Sequence, residues 1–502
     1  MYFTTGPDNG VYALDAASGV LRWHYVPKLG RAESIFSVNR GVAVASGRVF
    51  YATLDDHLIA LDAQTGKKIW ESRIGNPSDG LSEDAAPLAW AGLVFVGSAG
   101  NEFGVRGSYS AYSQQDGKLV WRWWAVSPGW EGTFRNTVRG YPLHRDIRRE
   151  RASRGRFRDA WKTGGGAVWM TPALGPQEST IYLSTGNPAP AFNGDRRPGD
   201  NLYTDSVVAL DARSGKMKWY YQETPHDVWD YDASSPPVLV DALDAAGRRV
   251  PAVVEAGKTG WLYVLDRRTG RLLRISEPFV PQPRIYEPLT RKGTTIQPAN
   301  GGGAIGPIAY DPAMHVAFVA GNVEPEIGQT FEVEPWRAGG GEGQWKAGAM
   351  TDVSEDAHSL LSAIDVDTGR IRWVRPVPSL IYTGGPLSIN GLVFLAEQST
   401  GRFKAYDAAS GKVLWQVTPG SAVLSHFDVR DRALHVVSAI IQKVTSVWRR
   451  VRHHADDNFE DNRAPPVAYR ADGREYIVVV SDLYGHSPRA GGDTVFAFAL
   501  PR

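Results

Sequence analysis

In the stretch Thr224 to Asp241, TPHDVWDYDASSPPVLVD, two carboxylates stand two residues apart beside a tryptophan. In an extended segment side chains at i and i+2 share a face, so Asp230 and Asp232 are expected to point together into one cavity. Like charges at close range raise each other's pKa unless a cation neutralises them, which makes the pair a candidate metal site and general base. The plainer alternative is that both aspartates cap turns ahead of Pro236-Pro237. What else the chain builds around them decides between the two.

The chain has 502 residues with Gly 54, Pro 32, Trp 17 and Tyr 20, and helix-forming runs are scarce. That profile predicts an all-β protein of many short strands joined by turns. Lys+Arg 55 against Asp+Glu 54 leaves a formal charge of +1, so no global field favours nucleic acid or an anionic membrane. With Cys 0 there is no disulfide, no thiolate metal site and no fused c-type haem, and an electron acceptor must be a separate molecule. No apolar run is long enough for a transmembrane helix. The opening residues, MYFTTGPDNGVYALD, lack a basic n-region and an apolar h-region and read as the inside of a strand, so further chain is expected upstream.

One unit recurs: a β run, then Leu/Ile-Asp-x-x-Ser/Thr-Gly, then a tryptophan eight positions after the Asp. Complete copies carry Asp15 and Trp23, Asp62 and Trp70, Asp211 and Trp219, Asp365 and Trp373, and Asp407 and Trp415. Two copies are degenerate, with Ser113 at the Asp position before Trp121 and Arg274 where Trp is expected after Asp266. Asp and Ser/Thr satisfy a tight turn, Gly accepts positive φ, and the flanking strands form a hairpin whose tryptophan must pack on a neighbour. Successive Asp-type positions lie 47, 51, 98, 55, 99 and 42 residues apart. Short intervals match one four-stranded blade, and long ones either two blades or a blade with an insertion. The expected architecture is a single eight-bladed β-propeller over residues 1–502, its first blade incomplete, with the run DTVFAFALP as a last strand sealing the ring against N-terminal chain.

Two segments depart from the repeat. Arg135 to Lys162 holds ten basic residues, among them Arg148, Arg149, Arg151, Arg154, Arg156 and Arg158. It reads as a solvated loop or short helix, with a docking patch for an acidic electron-transfer partner as the alternative. A divergent insertion at about 424–463 contains His453, His454, Asp456 and Asp457, a polar surface loop in preference to a metal site.

Taken with the repeat, the strings SVNRGVAVASGRVFYATLDDHLIALDAQTG, NEFGVRGSYSAY, GGGAVW, STGNPAP, TPHDVWDYD, KTGWLYVLDRRTG and APPVAYRADGREYIVVV resemble the quinoprotein alcohol dehydrogenase family. Those proteins are eight-bladed propellers that bind pyrroloquinoline quinone (PQQ) and a metal, and the resemblance covers nearly the whole chain. It implies Glu102, Asn187 and Asp230 as metal ligands, with Asp230 also the catalytic base. Asp232 matches the additional acid of lanthanide-dependent methanol dehydrogenases. Oxygen-only ligation suits Ca²⁺, an extra acid suits a trivalent lanthanide, and some sugar-oxidising relatives share that acid, so both ions stay open.

By the same resemblance Trp169 is the ring on which the quinone stacks, Arg40 meets a PQQ carboxylate, and Lys258 hydrogen-bonds the quinone oxygens. Gly100 and Asn101 bring backbone beside the cofactor, and Asn322 is a weaker match. The bland alternatives are a further docking tryptophan for Trp169 and a surface arginine for Arg40. The implied reaction is oxidation of a primary alcohol or other small hydroxyl compound, with hydride passing to the quinone, a metal Lewis acid and an Asp base. A c-type cytochrome as electron acceptor and a periplasmic home come with it. A PQQ-dependent sugar dehydrogenase and a cofactor-free propeller scaffold for protein assembly are the other readings. The chain also departs from the family. Ser34-Ile35 replaces the vicinal cysteine pair, Asp84 and Ala167 replace hydroxyl residues, and Tyr382 replaces a tryptophan. Asp84 is expected to repel a cofactor carboxylate.

Overall fold

The computed structural model describes residues 1–5, 9–30, 38–76, 79–299, 301–334, 346–352, 357–382, 384–397, 400–417, 465–481 and 494–499. Ser34-Ile35 and the His453–Asp457 cluster lie outside these residues. Among them the strands form six four-stranded antiparallel sheets, three three-stranded sheets and one short hairpin. Each docking unit lies in a sheet of its own, named here by the residue at its tryptophan position. The Trp23 sheet has three strands (Tyr2–Thr4, Val11–Leu14, Leu21–Tyr25), and the Trp70, Trp121, Trp219, Arg274, Trp373 and Trp415 sheets have four each. A last three-stranded sheet (Val467–Ala471, Arg474–Ser481, Thr494–Ala499) has no docking unit. The β-propeller expectation holds.

The turns that carry an Asp share one chemistry. The Asp62 carboxylate accepts from Thr65 N at 2.8 Å and Thr65 Oγ1 at 2.7 Å, while Gly66 takes φ +70°. An Asx-type turn of this kind satisfies backbone donors that the hairpin cannot. The tryptophan then reaches the next sheet, where its indole donates to the carbonyl one residue past that unit's Asp position. Trp23 bonds Ala63 O, Trp70 Gln114 O, Trp121 Ala212 O, Trp219 Arg267 O and Trp373 Ala408 O, all at 3.0–3.1 Å. The ring lies on the turn glycine. A Cβ on Gly270 would come within 2.5 Å of the Trp219 ring, so glycine is required there for contact as well as for its φ of +71°.

The degenerate copy keeps the bond with different chemistry, since Arg274 Nη1 donates to Val366 O at 3.2 Å. The seventh acceptor, Ala16 O, takes the Tyr469 hydroxyl at 2.7 Å, which ties the last sheet to the first turn. Of the two readings of the long intervals, the insertion is the one observed. Trp121 docks directly on the Trp219 sheet, and the 98 residues between hold a hairpin (Thr137–Val138, Tyr141–Pro142) and a helix, Ile147–Ser153. The 99-residue interval holds the extra three-stranded sheet formed by Thr294–Ile296, Glu326–Glu334 and Lys346–Asp352. The strand Thr494–Ala499 pairs with Arg474–Ser481, and the observed contact with N-terminal chain comes from Tyr469.

The basic segment is partly structural. Arg145, with its side chain 3 % exposed, bonds Asp200 at 2.9 Å and Glu150, and Asp146 caps the helix by accepting from Arg149 N. Arg139 is held by the hydroxyls of Tyr263 and Tyr286.

Candidate active site

Asp230 and Asp232 do converge, though the strand expected to align them is absent: the backbone from Thr224 to Ser235 is loop, and Asp230 sits at φ +68°. A third aspartate shapes it. The Asp227 carboxylate accepts from Trp229 N and Tyr231 N, both at 2.9 Å, and Trp229 is locked by its bond to Glu287 O. Asp227 is buried, and that burial pushes its carboxyl up to about 7. Nothing in the spacing singled it out, although an Asp two residues before a backbone donor is a known turn former.

Lys258 Nζ stands between the pair, 2.9 Å from Asp230 Oδ2 and 2.7 Å from Asp232 Oδ2. Burial alone would lower its pKa, but the two carboxylates overcome that and hold the ammonium charged. The loop carrying Asn187 closes the other side: Asn187 N donates to Asp232 Oδ1 at 2.5 Å, and Asn187 Oδ1 accepts from Asn101 Nδ2 at 2.8 Å. Asn101 Oδ1 in turn accepts from Ala167 N at 2.9 Å. Gly186 permits this crowding, since a Cβ there would lie 2.6 Å from Asn101 Nδ2, 2.7 Å from Asp232 Oδ1 and 3.3 Å from Trp169 Nε1.

Glu102 rides on a short 3-10 turn, Asn101–Phe103, whose left-handed ends are Gly100 at φ +105° and Gly104 at φ +71°. Its residue surface is open to solvent although its carboxyl is set among protein atoms. Burial first, then the charges of Asp230 and Asp232, raise it to about 7, with Lys258 opposing. Four carboxyl groups therefore act on one ammonium, because Glu326, also raised to about 7, feels Asp230 and Lys258 as well. Glu326 accepts from Gly301 N, and its neighbour Glu324 takes the Tyr382 hydroxyl at 2.6 Å. These two acids and Tyr382's bond were not foreseen.

Arg40 lies with its guanidinium 5.2 Å from the centre of the half-buried Trp169 ring and 2.8 Å from Asp84 Oδ2. The expected repulsive anion at Asp84 is thus neutralised by the arginine beside it. Asn322 has a different employment. Its side chain bonds Gly301 O, Ser359 Oγ and Ile381 N at 2.7–2.9 Å, pinning three segments.

The model of the family described as "PQQ: Glucose/ethanol/alcohol dehydrogenase, beta-propeller domain" matches residues 1–285. The chain is 30% identical, over 98% of its length and 78% of the relative's, to a quinoprotein alcohol dehydrogenase of Pseudomonas putida. This chain belongs to the PQQ-dependent alcohol dehydrogenase family. It is also 31% identical, over 85% of its length and 73% of the relative's, to a lanthanide-dependent methanol dehydrogenase of Methylacidiphilum fumariolicum. Among solved structures, a europium-containing methanol dehydrogenase superposes with a TM-score of 0.79 at 27% identity, covering 100% of this chain and 89% of that one. The quinohemoprotein alcohol dehydrogenase of Comamonas testosteroni gives a TM-score of 0.77 at 28% identity, over 99% of this chain and 72% of that one. A second family model, Outer membrane protein assembly factor BamB, matches residues 357–480.

The residues of the dehydrogenase fit the cofactors of its family. Among the described residues no three His, Cys, Asp or Glu side chains are gathered tightly enough to cage an ion alone. The donor set that fits is mixed and all oxygen: the carboxylates of Glu102, Asp230 and Asp232 with the amide of Asn187, the hard-ligand chemistry that Ca²⁺ or a lanthanide takes. Glu102 is raised first by burial and then by the charge of Asp230, with Lys258 opposing. For a flat anionic cofactor the chain offers the Trp169 ring and the Arg40 guanidinium.

Proposed function

We propose that this quinoprotein oxidises a primary alcohol or another small hydroxyl compound, with Asp230 as the base and the ring completed by eight blades. The observation that carries the reading is the convergence of Asp230 and Asp232 on Lys258, beside the Asn101–Asn187 pair and Trp169. Glu102, Asn187, Asp230 and Asp232 would hold the metal, Ca²⁺ or a lanthanide; Trp169 and Arg40 would hold the quinone, with Gly100 and Asn101 beside it. When bound, the quinone supplies a two-electron acceptor and the metal a Lewis acid.

The chain's own part is orientation and proton handling. Asp230 Oδ2 takes the hydroxyl proton of the substrate, and Lys258, 2.9 Å away, holds that oxygen in place. Asp232 is bound on both sides, by Lys258 Nζ and Asn187 N, and so fixes the lysine instead of taking the proton. Sugar oxidation by the same groups is a second reading, favoured by the polar wall of Glu324, Glu326 and Tyr382 near the pair. A separate acceptor such as a c-type cytochrome, and a periplasmic location, complete the proposal. No helix among the described residues is long and apolar enough to cross a membrane.

The test is reconstitution. Full-length protein mixed with PQQ and either Ca²⁺ or La³⁺ is expected to reduce an artificial dye with at least one of a panel of alcohols and sugars. Failure with every substrate and both metals, although the protein is folded, overturns the assignment.

A further inference from the structure

A cavity of about 460 Å³ lies against the Trp121 sheet, walled on one side by Ile74, Gly75 and Asn76 where the chain leaves the Trp70 sheet. None of Glu102, Asn187, Asp230, Asp232, Lys258, Arg40 or Trp169 lines it, so it is separate from the site above, although Phe103–Arg106 forms part of its wall. Its volume is in the range of small-molecule sites.

Three cations border it: Arg106, Arg122 and Lys162. Arg106 is clamped between two rings, 4.3 Å from the Trp124 centroid and 4.6 Å from that of Trp161, and donates Nε to Val126 O at 2.8 Å and Nη2 to Ser127 Oγ at 3.0 Å. Arg122 donates Nε to Ser110 Oγ and Nη2 to Ile74 O and the Tyr112 hydroxyl, each at 2.9 Å. Both guanidiniums are thus fixed by neutral acceptors. Among the described residues neither has a carboxylate partner, and Nη1 of each makes no hydrogen bond. Such a preorganised cation without a counter-charge is costly when partly desolvated, and burial does depress the Arg106 pKa. An anion arriving in the cavity offsets that cost, and the guanidinium edge matches the two oxygens of a carboxylate.

Glu83 supplies the second, independent pointer. It lines the same cavity, is 3 % exposed, and has no hydrogen-bond or ion-pair partner among the described residues. Burial, reinforced by Asp56 and Asp84 and opposed by Arg122, raises its carboxyl above the ordinary range. Asp79 is the other carboxylate on the wall. Lys162 also pairs with Asp159 at 3.2 Å, yet with Arg106, Arg122 and Lys162 against Glu83 and Asp79 the lining holds more cations than carboxyls.

We propose that this cavity binds a small oxyanion, received by the open edges of Arg106 and Arg122 and by Lys162, beside the buried Glu83. The ligand class is a compact organic acid or inorganic phosphate; the shared requirement is two or more anionic oxygens on one small body.

Calorimetric titration of the full-length protein with acetate, glycolate and inorganic phosphate at constant ionic strength tests it, with glycerol as neutral control. Saturable binding by the carboxylate arm, by the phosphate arm, or by both is expected, and the arms tell which source is preferred. Arg106→Gln is expected to weaken it at least about tenfold, since one charge-assisted bond is lost. Should that variant fail to fold, Lys162→Ala serves, because its side chain is 57 % exposed and loses there a surface ion pair with Asp159; a loss of about two- to fivefold is expected for a solvent-screened charge. Arg40→Gln is expected to bind as the native protein does. The proposal is overturned if no anion binds saturably, if Lys162→Ala binds as tightly as native, or if binding disappears in Arg40→Gln.

Discussion

In the docking hairpins the turn aspartates are answered within a few residues, whereas around Lys258 the acids outnumber the cations that answer them. Asp15 accepts from Ser18 N, from Ser18 Oγ and from Arg22, and those bonds hold its carboxyl well below the usual range. Glu102 and Glu326 lie on the other side, both pushed up to about 7 by burial and by the charge of Asp230. The difference separates two tasks. A repeat that must dock on its neighbour is stabilised by saturating its own donors, while a group that must receive a proton or a cation has to be left short of partners.

The largest effect is expected from breaking the second region without touching the first. Asp230→Asn keeps the shape of the loop, since the bonds from Trp229 N and Tyr231 N go to Asp227, not to Asp230. Turnover of the reconstituted protein should fall by about 10² to 10⁴, the usual worth of a general base. The thermal midpoint should stay within a few degrees of native. Retained turnover would remove Asp230 from the base role and leave the rest of the cluster standing.

Next comes damage to a hairpin. Trp219→Ala removes a large buried ring that covers Gly270 and donates to Arg267 O at 3.0 Å, so a loss of about 3–5 kcal/mol is expected by denaturant titration. Because each sheet leans on the next, the loss should appear as lowered stability of the whole chain. A loss below about 1 kcal/mol would mean that the docking tryptophans are ornaments of the repeat and do not carry it.

A third variant asks whether unanswered acids cost stability away from the active site. Asp56 is 0 % exposed, neither carboxyl oxygen has a partner, and burial, then Asp55, push it from 3.8 to about 7. A folded pKa above the unfolded one means that the favourable, protonated state is fully present below about pH 4 and is lost as pH rises toward 7. Asp56→Asn should therefore match native stability near pH 4 and exceed it above pH 7, by up to about 4 kcal/mol. Equal stability at both pH values would show that Asp56 finds a counter-charge on folding.

How much of this was legible follows from range. The ring was readable because its unit is local: thirteen or so residues contain the turn, both strands and the ring that docks, and repetition supplied the check that one copy could not. The insertions were ambiguous because an interval near a hundred residues fits two blades as well as one interrupted blade, and only the bond from Trp121 to Ala212 O separates them. In the active site the acids were readable as types, but their alignment was inferred from a strand that is not there. Asp227 builds the loop instead, and an aspartate used for backbone bonding looks no different in sequence from one used for chemistry. The Asp84–Arg40 pair was read as repulsion for the same reason: a sequence shows a charge without showing its partner. Tyr382's bond to Glu324 spans 58 residues, beyond any local pattern.

The smallest expected effect sharpens what a docking position requires. Arg274 occupies a tryptophan place, yet it reaches Val366 O with Nη1 and Leu243 O with Nη2, both at 3.2 Å. The glycine that would lie beneath an indole, Gly369, faces backbone there: a Cβ on it would meet Ile275 O at 2.9 Å. If the donor to the next sheet is what matters, Arg274→Trp should stay within about 1 kcal/mol of native, gaining ring area and losing the bond to Leu243 O. Arg274→Met, of similar reach and without a donor, should then be about 1–2 kcal/mol less stable than native, because it strands two carbonyls. If the methionine variant equals native instead, packing alone fills the position, and the hydrogen bond repeated around the ring is a consequence of docking, not its cause.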